Sequence, residues 1–429
     1  MTQKILLWFR NDLRLHDNEA LATAIDLADE IVLVYVFDAR KWADTKYGFK
    51  KTGIHRTKFL IESVENLRQN IEKLGGNLIV EQGIPEEIVS DLANKHKVSS
   101  VFFQKEHTSE EIEVEQKLIA NLKTHNIKTK SFEGMTLFHP NNLPFSTQRI
   151  PELFTEFRKN VENKSNVEPL FDTPTKLQTP FSATKIPTLS QLGFESNQHQ
   201  KNPNAVLDFK GGETEALNHL HSYLWTKDLL KTYKDTRNGL LGADYSSKIS
   251  VWLANGSLSA RHVYWEIKRY ENQRISNQST YWLVFELLWR DYFRFIAQKH
   301  GNLIFKLHGI QQKPKTWQWS NYAFDLWATG KTKIPFVDAN MKELLETGFM
   351  SNRGRQNVAS YLTKDLKIDW RAGAAWFESM LIDYDVCSNY GNWTYAAGVG
   401  NDPREDRYFN ITKQAQMYDP KGDYVRHWL

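Results

Sequence analysis

The chain has 429 residues, which is more than one hydrophobic core usually supports, so its length predicts two domains. Hydrophobic residues at 41% and charged residues at 25% are typical of a globular protein, and the net charge of +4 is too small to indicate nucleic-acid binding by itself. The single cysteine, Cys387, excludes a disulfide framework and a cysteine-based zinc site, and no metal site is predicted. No apolar run reaches the roughly 18 residues that a membrane span needs, and no leader or transit pattern follows Met1, so a reducing, cytoplasmic location is predicted.

The first 135 residues alternate between strand-like and helix-like segments. Short apolar runs indicate strands at Ile5–Phe9, Ile31–Phe37, Leu78–Val80 and Val101–Phe103. The clearest helix between them is Arg56–Leu74, whose apolar residues recur every three or four positions. This succession predicts a doubly wound parallel sheet with helices on both faces, and ligands of such sheets bind at the carboxyl ends of the strands.

Residues 136–205 differ in composition, because prolines interrupt a stretch that is rich in Asn, Thr, Ser and Lys. The prolines are Pro140, Pro144, Pro151, Pro169, Pro174, Pro180, Pro187 and Pro203. Long helices and strands cannot continue through this density of proline. The segment is therefore predicted to be a connector on the surface, with one short helix over Pro151–Val161.

Helical periodicity dominates from Gly212 to the end of the chain. The clearest helix is Tyr281–His300, and Gly301 is its expected C-cap. The sequence as a whole predicts an α/β domain over residues 1–135, a proline-rich linker over 136–205 and an all-helical domain over 206–429.

The stretch from Asp383 to Tyr395 concentrates side chains that could carry chemistry: Asp383, Asp385, Asn389, Trp393 and Tyr395. Without a histidine it is a poor metal site, but it is a suitable wall for a large aromatic cofactor that forms hydrogen bonds. The alternative interpretation is that its Asp and Asn residues only cap turns.

A helix is predicted from Asn352 to Leu366, and it begins with two arginines. Arg353 and Arg355 are two positions apart and point roughly 200° apart on a helix, so they cannot both face one ligand. We expect one to face a cofactor and the other a phosphate backbone. The alternative is that both are solvated.

Two further segments, Tyr233–Arg237 and Asp244–Ser250, combine hydroxyls, backbone N–H groups and a lysine. These groups could hold a diphosphate, although Ser-Ser-Lys-Ile-Ser could equally be a simple helix N-cap.

On the predicted helix Tyr281–His300, the residues Glu286, Trp289, Arg290 and Phe293 share one face. A carboxylate between aromatic residues costs stability unless it has a partner. The simplest interpretation is a buried Glu286–Arg290 ion pair.

Together with Trp8–Arg14, Ile368-Asp369-Trp370 and Gly398–Phe409, these segments resemble the DNA photolyase and cryptochrome family, and within it the DASH-type cryptochromes. The resemblance covers nearly the whole chain. It implies an α/β domain that binds an antenna chromophore and an all-helical domain that binds FAD.

The resemblance implies the following FAD-binding residues: Tyr233, Ser246, Ser247, Lys248, Ile249, Ser250, Asn352, Arg355, Asp383, Asp385 and Asn389. Asn389 is expected to face N5 of the flavin, as an acceptor or as a donor, and Asp385 to accept from N3–H. Asp383 is expected to pair with Arg355, whose positive charge stabilises the reduced flavin.

The implied DNA-binding residues are Arg237, Glu286, Trp289, Arg290, Arg353, Gln356 and Tyr395. Glu286 is expected to hydrogen-bond a flipped pyrimidine dimer, with Trp289 stacked beside it. Tyr395 and Gln356 stand where double-strand-specific photolyases carry Trp and Met, and both differences are similar to the DASH group. A tyrosine offers less stacking area, and extraction of a base from a duplex costs about a few kcal/mol, so single-stranded DNA is the expected substrate.

Trp393, Trp370 and Trp317 occupy the positions of the family's electron-hopping triad, and Trp319 is an alternative outer member. Each alone is more typical of a core residue. The resemblance also implies a folate antenna, methenyltetrahydrofolate, with Glu106 hydrogen-bonded to its pterin ring.

The expected function is that of a deoxyribodipyrimidine photo-lyase, a carbon–carbon lyase that uses blue light to split cyclobutane pyrimidine dimers in single-stranded DNA. Glu286, Asn389 and the three tryptophans are its expected catalytic residues. The alternatives are a photoreceptor that signals through partners, and a module that binds single-stranded DNA or RNA. Signalling cryptochromes usually add a long tail, whereas this chain stops at Leu429 in sequence of the family type, which favours the enzyme. A monomer is expected.

Overall fold

A computed structural model of the chain describes residues 3–179, 184–195, 201–404 and 407–429. Its strands are β1 (Lys4–Phe9), β2 (Glu30–Asp38), β3 (Leu78–Gly83), β4 (Ser100–Gln104) and β5 (Lys128–Phe132). Its helices are α1 (Glu19–Leu27), α2 (Ile54–Lys73), α3 (Pro85–Lys95), α4 (Ser109–Thr124), α5 (Phe154–Lys164), α6 (Glu213–His221), α7 (Tyr233–Thr236), α8 (Ser250–Ala254), α9 (Ala260–Gln273), α10 (Gln278–His300), α11 (Asn321–Ala328), α12 (Pro335–Thr347), α13 (Asn352–Ser360), α14 (Trp370–Met380), α15 (Val386–Ala397), α16 (Ile411–Tyr418) and α17 (Asp423–Trp428). Pro180 of the predicted connector, and Glu405 and Asp406 of the C-terminal motif, lie outside the described residues.

The strands form one parallel sheet in the order β3-β2-β1-β4-β5, and this confirms the predicted doubly wound α/β architecture. Alternate residues of β1 enter two separate cores. Ile5, Leu7 and Phe9 pack with apolar residues of α1 and α2, whereas Leu6 and Trp8 pack with those of α3 and α4. This two-residue period places helices on both faces of the sheet.

The strand β5 is absent from the prediction. Its sequence, KTKSF, has only one buried residue, Phe132, because β5 lies at the edge of the sheet beside β4. An edge strand that faces solvent carries no apolar run, so the signal used for the other strands is missing.

The segment that follows β1 joins the two parts of the chain. Asp17 forms a buried ion pair with Arg261 at 2.7 Å, and His16 Nδ1 lies 2.5 Å from Glu213. Gly256 has a φ of +71°, and a Cβ at this position would lie 1.9 Å from the carbonyl oxygen of Asn11. Only glycine permits this close approach.

The described part of residues 136–205 packs more closely than a connector that only follows the surface. Its buried side chains include Leu137, Phe138, Ile150, Phe154, Phe157, Val161, Val167, Leu177 and Leu192. The predicted short helix is present as α5 and is shifted by three residues at each end. Apolar residues between the prolines anchor the segment to the core. A prediction from proline content alone does not take these residues into account. The domain boundaries at 135 and 205 stay predictions.

The C-terminal part is helical, as predicted, and α10 lies at its centre. The helix α10 begins at a capping box of Asn277 and Thr280 and ends at Gly301, whose φ is +52°. The helix α13 continues into a π-helical turn over Tyr361–Asp365, so the predicted helix is present with a change of pitch. No described helix is long and apolar enough to cross a membrane.

Candidate active site

A cavity of about 480 Å³ lies among α7, α8, α10, α13, α14 and α15. Most of the site residues predicted from the sequence line it: Tyr233, Arg237, Ser246, Ser247, Lys248, Ile249, Ser250, Glu286, Trp289, Arg290, Asn352, Arg355, Gln356, Asp383, Asp385, Asn389, Trp393 and Tyr395. Arg353, Trp370 and Trp317 do not line it, and Glu106 lines a second cavity. Segments that are far apart in sequence therefore meet at one site.

Asp383 is held on one side by two donors. Arg355 Nη2 donates to Asp383 Oδ2 at 2.9 Å, and the hydroxyl of Ser250 donates to the same oxygen at 2.7 Å. The predicted Asp383–Arg355 pair is therefore present. Asp383 Oδ1 is buried and finds no donor among the described residues, so it can accept a hydrogen bond from a ligand in the cavity.

Asp385 caps α15 by accepting from the backbone N–H of Ser388 at 2.8 Å, and it forms an ion pair with the buried Arg294. Burial alone would raise the pKa of Asp385, but Arg294 and Arg290 outweigh it and keep this pKa below its usual value. Arg294 was not predicted from the sequence, because its partner Asp385 lies 91 positions away.

The side chain of Asn389 has one orientation. Its Nδ2 donates to the carbonyl oxygen of Ala374 at 3.0 Å, and this contact assigns the two ends of the amide. The amide oxygen is left available to the cavity. Of the two roles left open by the sequence, acceptor and donor, this geometry favours the acceptor.

Lys248 is buried in the segment 246–250, which forms part of the cavity wall. Its Nζ donates to the carbonyl oxygen of Ala243 at 2.7 Å and lies 3.4 Å from the ring centroid of Tyr245. Burial lowers the pKa of Lys248 to about 7. An anionic ligand beside it would favour its charged form.

We expect the affinity for FAD to fall as the pH rises above about 7. A bound diphosphate raises the pKa of Lys248 above its value in the ligand-free protein, so binding takes up a proton between the two pKa values. Within that window the affinity falls by up to about tenfold per pH unit. Titration of the apoprotein with FAD between pH 6 and pH 9 measures this slope.

Lys248→Met is the matched variant and should flatten the slope. Glu343 is the main competing group, since burial raises its pKa to about 8 and its ionisation would also repel a diphosphate. Asp244, Lys227 and His219 also face Lys248 or its neighbour Ser247, and Glu343→Gln isolates the largest of these contributions. An unchanged slope in Lys248→Met would contradict the assignment.

Glu343 belongs to a buried network behind the cavity wall. The hydroxyl of Tyr424 donates to Glu343 Oε2 at 2.7 Å and lies 3.1 Å from Asn340 Oδ1. A Cβ on Gly354 would lie 2.0 Å from the same Asn340 oxygen. The network therefore sets how closely the start of α13, which carries Arg355, can approach α12.

The Glu286–Arg290 ion pair, the simplest interpretation of the sequence, does not occur among the described residues. Glu286 forms its ion pair with Arg237, on the segment after α7. Nη1 and Nη2 of Arg290 donate to the backbone carbonyls of Met135 and Leu253, and burial with Arg294 nearby lowers the pKa of Arg290 to about 9. Burial raises the pKa of Glu286 although Arg237 opposes the shift.

Aromatic side chains line the same cavity as Glu286. Trp289 stacks on Phe154 with ring centroids 3.7 Å apart, and Tyr395 meets Trp289 edge-on at 5.9 Å. Arg407, which the sequence analysis did not assign, pairs with Asp402 and lies 5.6 Å from the Tyr395 ring.

Arg353 points away from the cavity, as the helical spacing predicts. It bonds to Gln356 Oε1 at 2.7 Å and to Asn238 Oδ1 at 3.0 Å, and it lies 4.5 Å from the ring of Tyr418. Only Arg355 of the two arginines lines the cavity.

The three predicted tryptophans differ in their surroundings. Trp393 lines the cavity, Trp370 is fully buried, and Trp317 is half-buried. A Cβ on Gly373, one turn after Trp370 on α14, would lie 2.2 Å from the Trp393 ring. Gln318 pairs with Ile368, which places Trp317 close to the start of α14, whereas Trp319 is 47% exposed and packs on Tyr47. This placement favours Trp317 as the outer member, and the electron-transfer role stays a prediction.

A second cavity of about 940 Å³ lies at the carboxyl ends of β1 and β4, the switch point of the sheet. Glu106 lines it and is held by Arg10 at 3.3 Å and by the side-chain amide of Asn11 at 2.7 Å. Ala254, Tyr384 and Asp385 line both cavities. No cluster of three potential metal ligands occurs in the described ranges.

Known protein families match both parts of this chain. The family model of DNA photolyase matches residues 5–179, and the model of the FAD binding domain of DNA photolyase matches residues 282–429. Cryptochrome DASH of Gloeobacter violaceus is 53% identical over 100% of this chain and 86% of its own length. The crystal structure of a Synechocystis sp. cryptochrome is 51% identical and superposes with a TM-score of 0.97 over 100% of this chain and 89% of that chain. An archaeal photolyase from Sulfolobus tokodaii, solved with two FAD molecules, is 27% identical with a TM-score of 0.82, over 100% of this chain and 90% of that chain.

Fold and cavity thus define a photolyase-type flavoprotein. The chain belongs to the DASH cryptochromes of the photolyase and cryptochrome family.

The cavity residues fit FAD. The free Asp383 oxygen and the Asn389 amide oxygen are acceptors for the N–H groups of a flavin, and Arg355 supplies a fixed positive charge beside them. Lys248 and the hydroxyls of residues 246–250 are suited to a diphosphate. These individual ligand contacts are proposals.

Proposed function

We propose that this protein repairs cyclobutane pyrimidine dimers in single-stranded DNA under blue light, with FAD as its cofactor. The observation that carries the proposal is the position of Glu286. It lines the same cavity as Trp289 and the flavin-type residues Asp383 and Asn389. When bound and reduced, FAD supplies an excited-state electron.

The repair reaction consumes no net electron. One electron enters the dimer, the two carbon–carbon bonds of the cyclobutane ring break, and the electron returns. The chain supplies orientation and a cavity that excludes water. Because burial raises the pKa of Glu286, this carboxyl keeps a proton more readily and can donate it in a hydrogen bond to a pyrimidine carbonyl.

The proposed preference for single strands rests on Tyr395 and Gln356, which both line the cavity. A dimer in a duplex must first be pulled out of the stack, at a cost of about a few kcal/mol. A smaller stacking wall offsets less of this cost.

We propose a reduced folate for the second cavity. Glu106 and Glu111 both line it, and burial together with Glu106 raises the pKa of Glu111, so the site presents carboxyl groups to a heterocycle with N–H donors. The two FAD molecules of the archaeal photolyase make a second flavin the competing ligand. Addition of methenyltetrahydrofolate to the purified protein tests the proposal, since a bound folate adds a near-ultraviolet band that co-elutes with the protein.

The decisive experiment is a repair assay. The protein with photoreduced flavin is mixed with an oligonucleotide that carries one thymine dimer, single-stranded or in a duplex, and is illuminated with blue light. We expect light-dependent recovery of thymine absorbance that is faster in the single strand, and no recovery in the dark. Equal rates for both substrates would contradict the single-strand preference.

Absence of any recovery, with flavin bound and photoreducible, would instead support a photoreceptor that signals through partners. Binding of undamaged single strands that neither needs nor responds to light would instead support a binding module for single-stranded DNA or RNA. The monomeric state and the cytoplasmic location stay predictions.

A further inference from the structure

A row of aromatic side chains leads out of the main cavity along α10. Trp289 and Phe285 line the cavity, and Trp282 lies one helical turn closer to the start of the helix. Side chains three and four positions apart share a helix face, so these residues and Glu286 form one row. The row connects the position proposed for the lesion with the protein surface.

Trp282 and Phe285 pack against each other, with ring centroids 4.7 Å apart and planes inclined by 30°. Trp282 is half-buried, and Phe285 is further fixed by an edge-on contact with Phe154 at 5.2 Å. The two rings therefore form a rigid apolar ledge beside Glu286.

Cations border this ledge. Lys234 Nζ lies 4.8 Å and the Arg237 guanidinium carbon 5.7 Å from the centroid of Trp282, while Arg158 lies 5.9 Å from that of Phe285. Arg158 and Arg237 are neutralised by ion pairs with carboxylates. Lys234 instead donates to the neutral amide of Gln278, and no ion pair of Lys234 occurs among the described residues. It is thus the cation of the ledge that is free to pair with a phosphate.

We propose that Trp282, Phe285 and Lys234 bind the nucleotide next to the lesion in a single strand. The base stacks on the aromatic ledge, and the flexible Lys234 exchanges Gln278 for the adjacent phosphate. This inference rests on the proposed function, because it places the lesion at Glu286. In a duplex the neighbouring base stays paired and stacked, so the ledge contributes only to the binding of single strands.

The test measures binding in the dark, which needs no repair activity. Fluorescence anisotropy of a labelled single-stranded oligonucleotide with a central thymine dimer gives its affinity for the holoprotein, and the bare dimer dinucleotide is measured as a competitor. We expect Trp282→Ala to weaken binding of the oligonucleotide by about 5- to 150-fold, the range for loss of one stacked base, and to weaken binding of the bare dimer clearly less. Binding of the same lesion in a duplex should change little.

Trp265 provides a matched control, because it is 38% exposed and lines neither cavity. Trp265→Ala should bind all three ligands as the wild type does. Trp282→Phe should lose only part of the affinity. An abasic site beside the dimer should weaken binding to the wild type and cause no further loss in Trp282→Ala, since the stacked base is then already without a partner.

Equal losses for the oligonucleotide and the bare dimer would overturn the inference, because Trp282 would then act through the lesion cavity. No loss for either ligand would also overturn the inference. If Trp282→Ala fails to retain flavin, the abasic oligonucleotide is tested on the wild type alone, and undiminished binding of it would overturn the inference. Failure of the proposed function has a different signature. The wild type would then bind damaged and undamaged strands equally.

Discussion

Glu286→Ala should remove most of the preference for damaged over undamaged single strands, and most of the light-driven repair with it. Without this donor a pyrimidine carbonyl buried in the cavity lacks a partner, which costs about 1–3 kcal/mol, or about 5- to 150-fold in affinity. The variant also releases Arg237, which pairs with Glu286 in the free protein. Arg237 can then bind phosphate in any strand, so affinity for undamaged DNA should hold or rise while lesion discrimination is lost. Affinities for matched strands with and without one dimer, together with single-turnover repair, measure both effects.

Glu286→Gln separates shape from charge in this experiment. The amide keeps a hydrogen-bond donor and nearly the same volume, so its loss should be clearly smaller than that of Glu286→Ala. Flavin content must match the wild type in both variants, since Glu286 is not among the residues expected to hold FAD. Undiminished discrimination in Glu286→Ala would place the lesion elsewhere.

Trp370→Phe should block photoreduction of the flavin and leave repair by chemically reduced protein intact. Trp370 is fully buried on α14, and its indole N–H donates to the carbonyl oxygen of Leu307 at 3.1 Å. A phenylalanine fills much of the same space but is far harder to oxidise. Electron hopping from the surface to the flavin would then lack its intermediate redox site. Bleaching of oxidised-flavin absorbance under blue light with an external reductant measures photoreduction.

The outer position is resolved by comparing Trp317→Phe with Trp319→Phe. Trp317 lies beside the start of α14 and should be needed, whereas the exposed Trp319 packs on Tyr47 and should be dispensable. Normal photoreduction in Trp370→Phe, with flavin content preserved, would exclude this chain of tryptophans as the route.

The sequence predicted the helices and strands whose residues form a regular local pattern. The apolar run of β1 and the three-to-four spacing of α10 are local signals, and the structure confirms both. The edge strand β5 lacks such a signal because its residues face water. The pairing of Asp385 with Arg294 spans 91 positions, and no local pattern predicts it.

The Glu286–Arg290 ion pair, which local spacing suggested and the structure replaces with Glu286–Arg237, shows the same limit of local patterns. Its spacing of four on one helix is favourable, but spacing ignores groups that arrive from other segments. Arg237 reaches Glu286 from the segment after α7, and carbonyls of Met135 and Leu253 take up Arg290. By contrast, only the family resemblance predicted that Asp383, Arg355 and Asn389 lie at one site. The sequences of their separate segments do not indicate that they meet.

The wall shared by the two cavities has a thermodynamic consequence. Asp385 lines both, and its partner Arg294 lines the larger one, so a ligand in either cavity alters the surroundings of the same ion pair. If one bound ligand changes the binding free energy of the other through this ion pair, the second ligand changes that of the first by the same amount, because linkage between two binding equilibria is reciprocal. A ligand of the larger cavity would then act as an effector of flavin retention, and the flavin would in turn alter the affinity for that ligand.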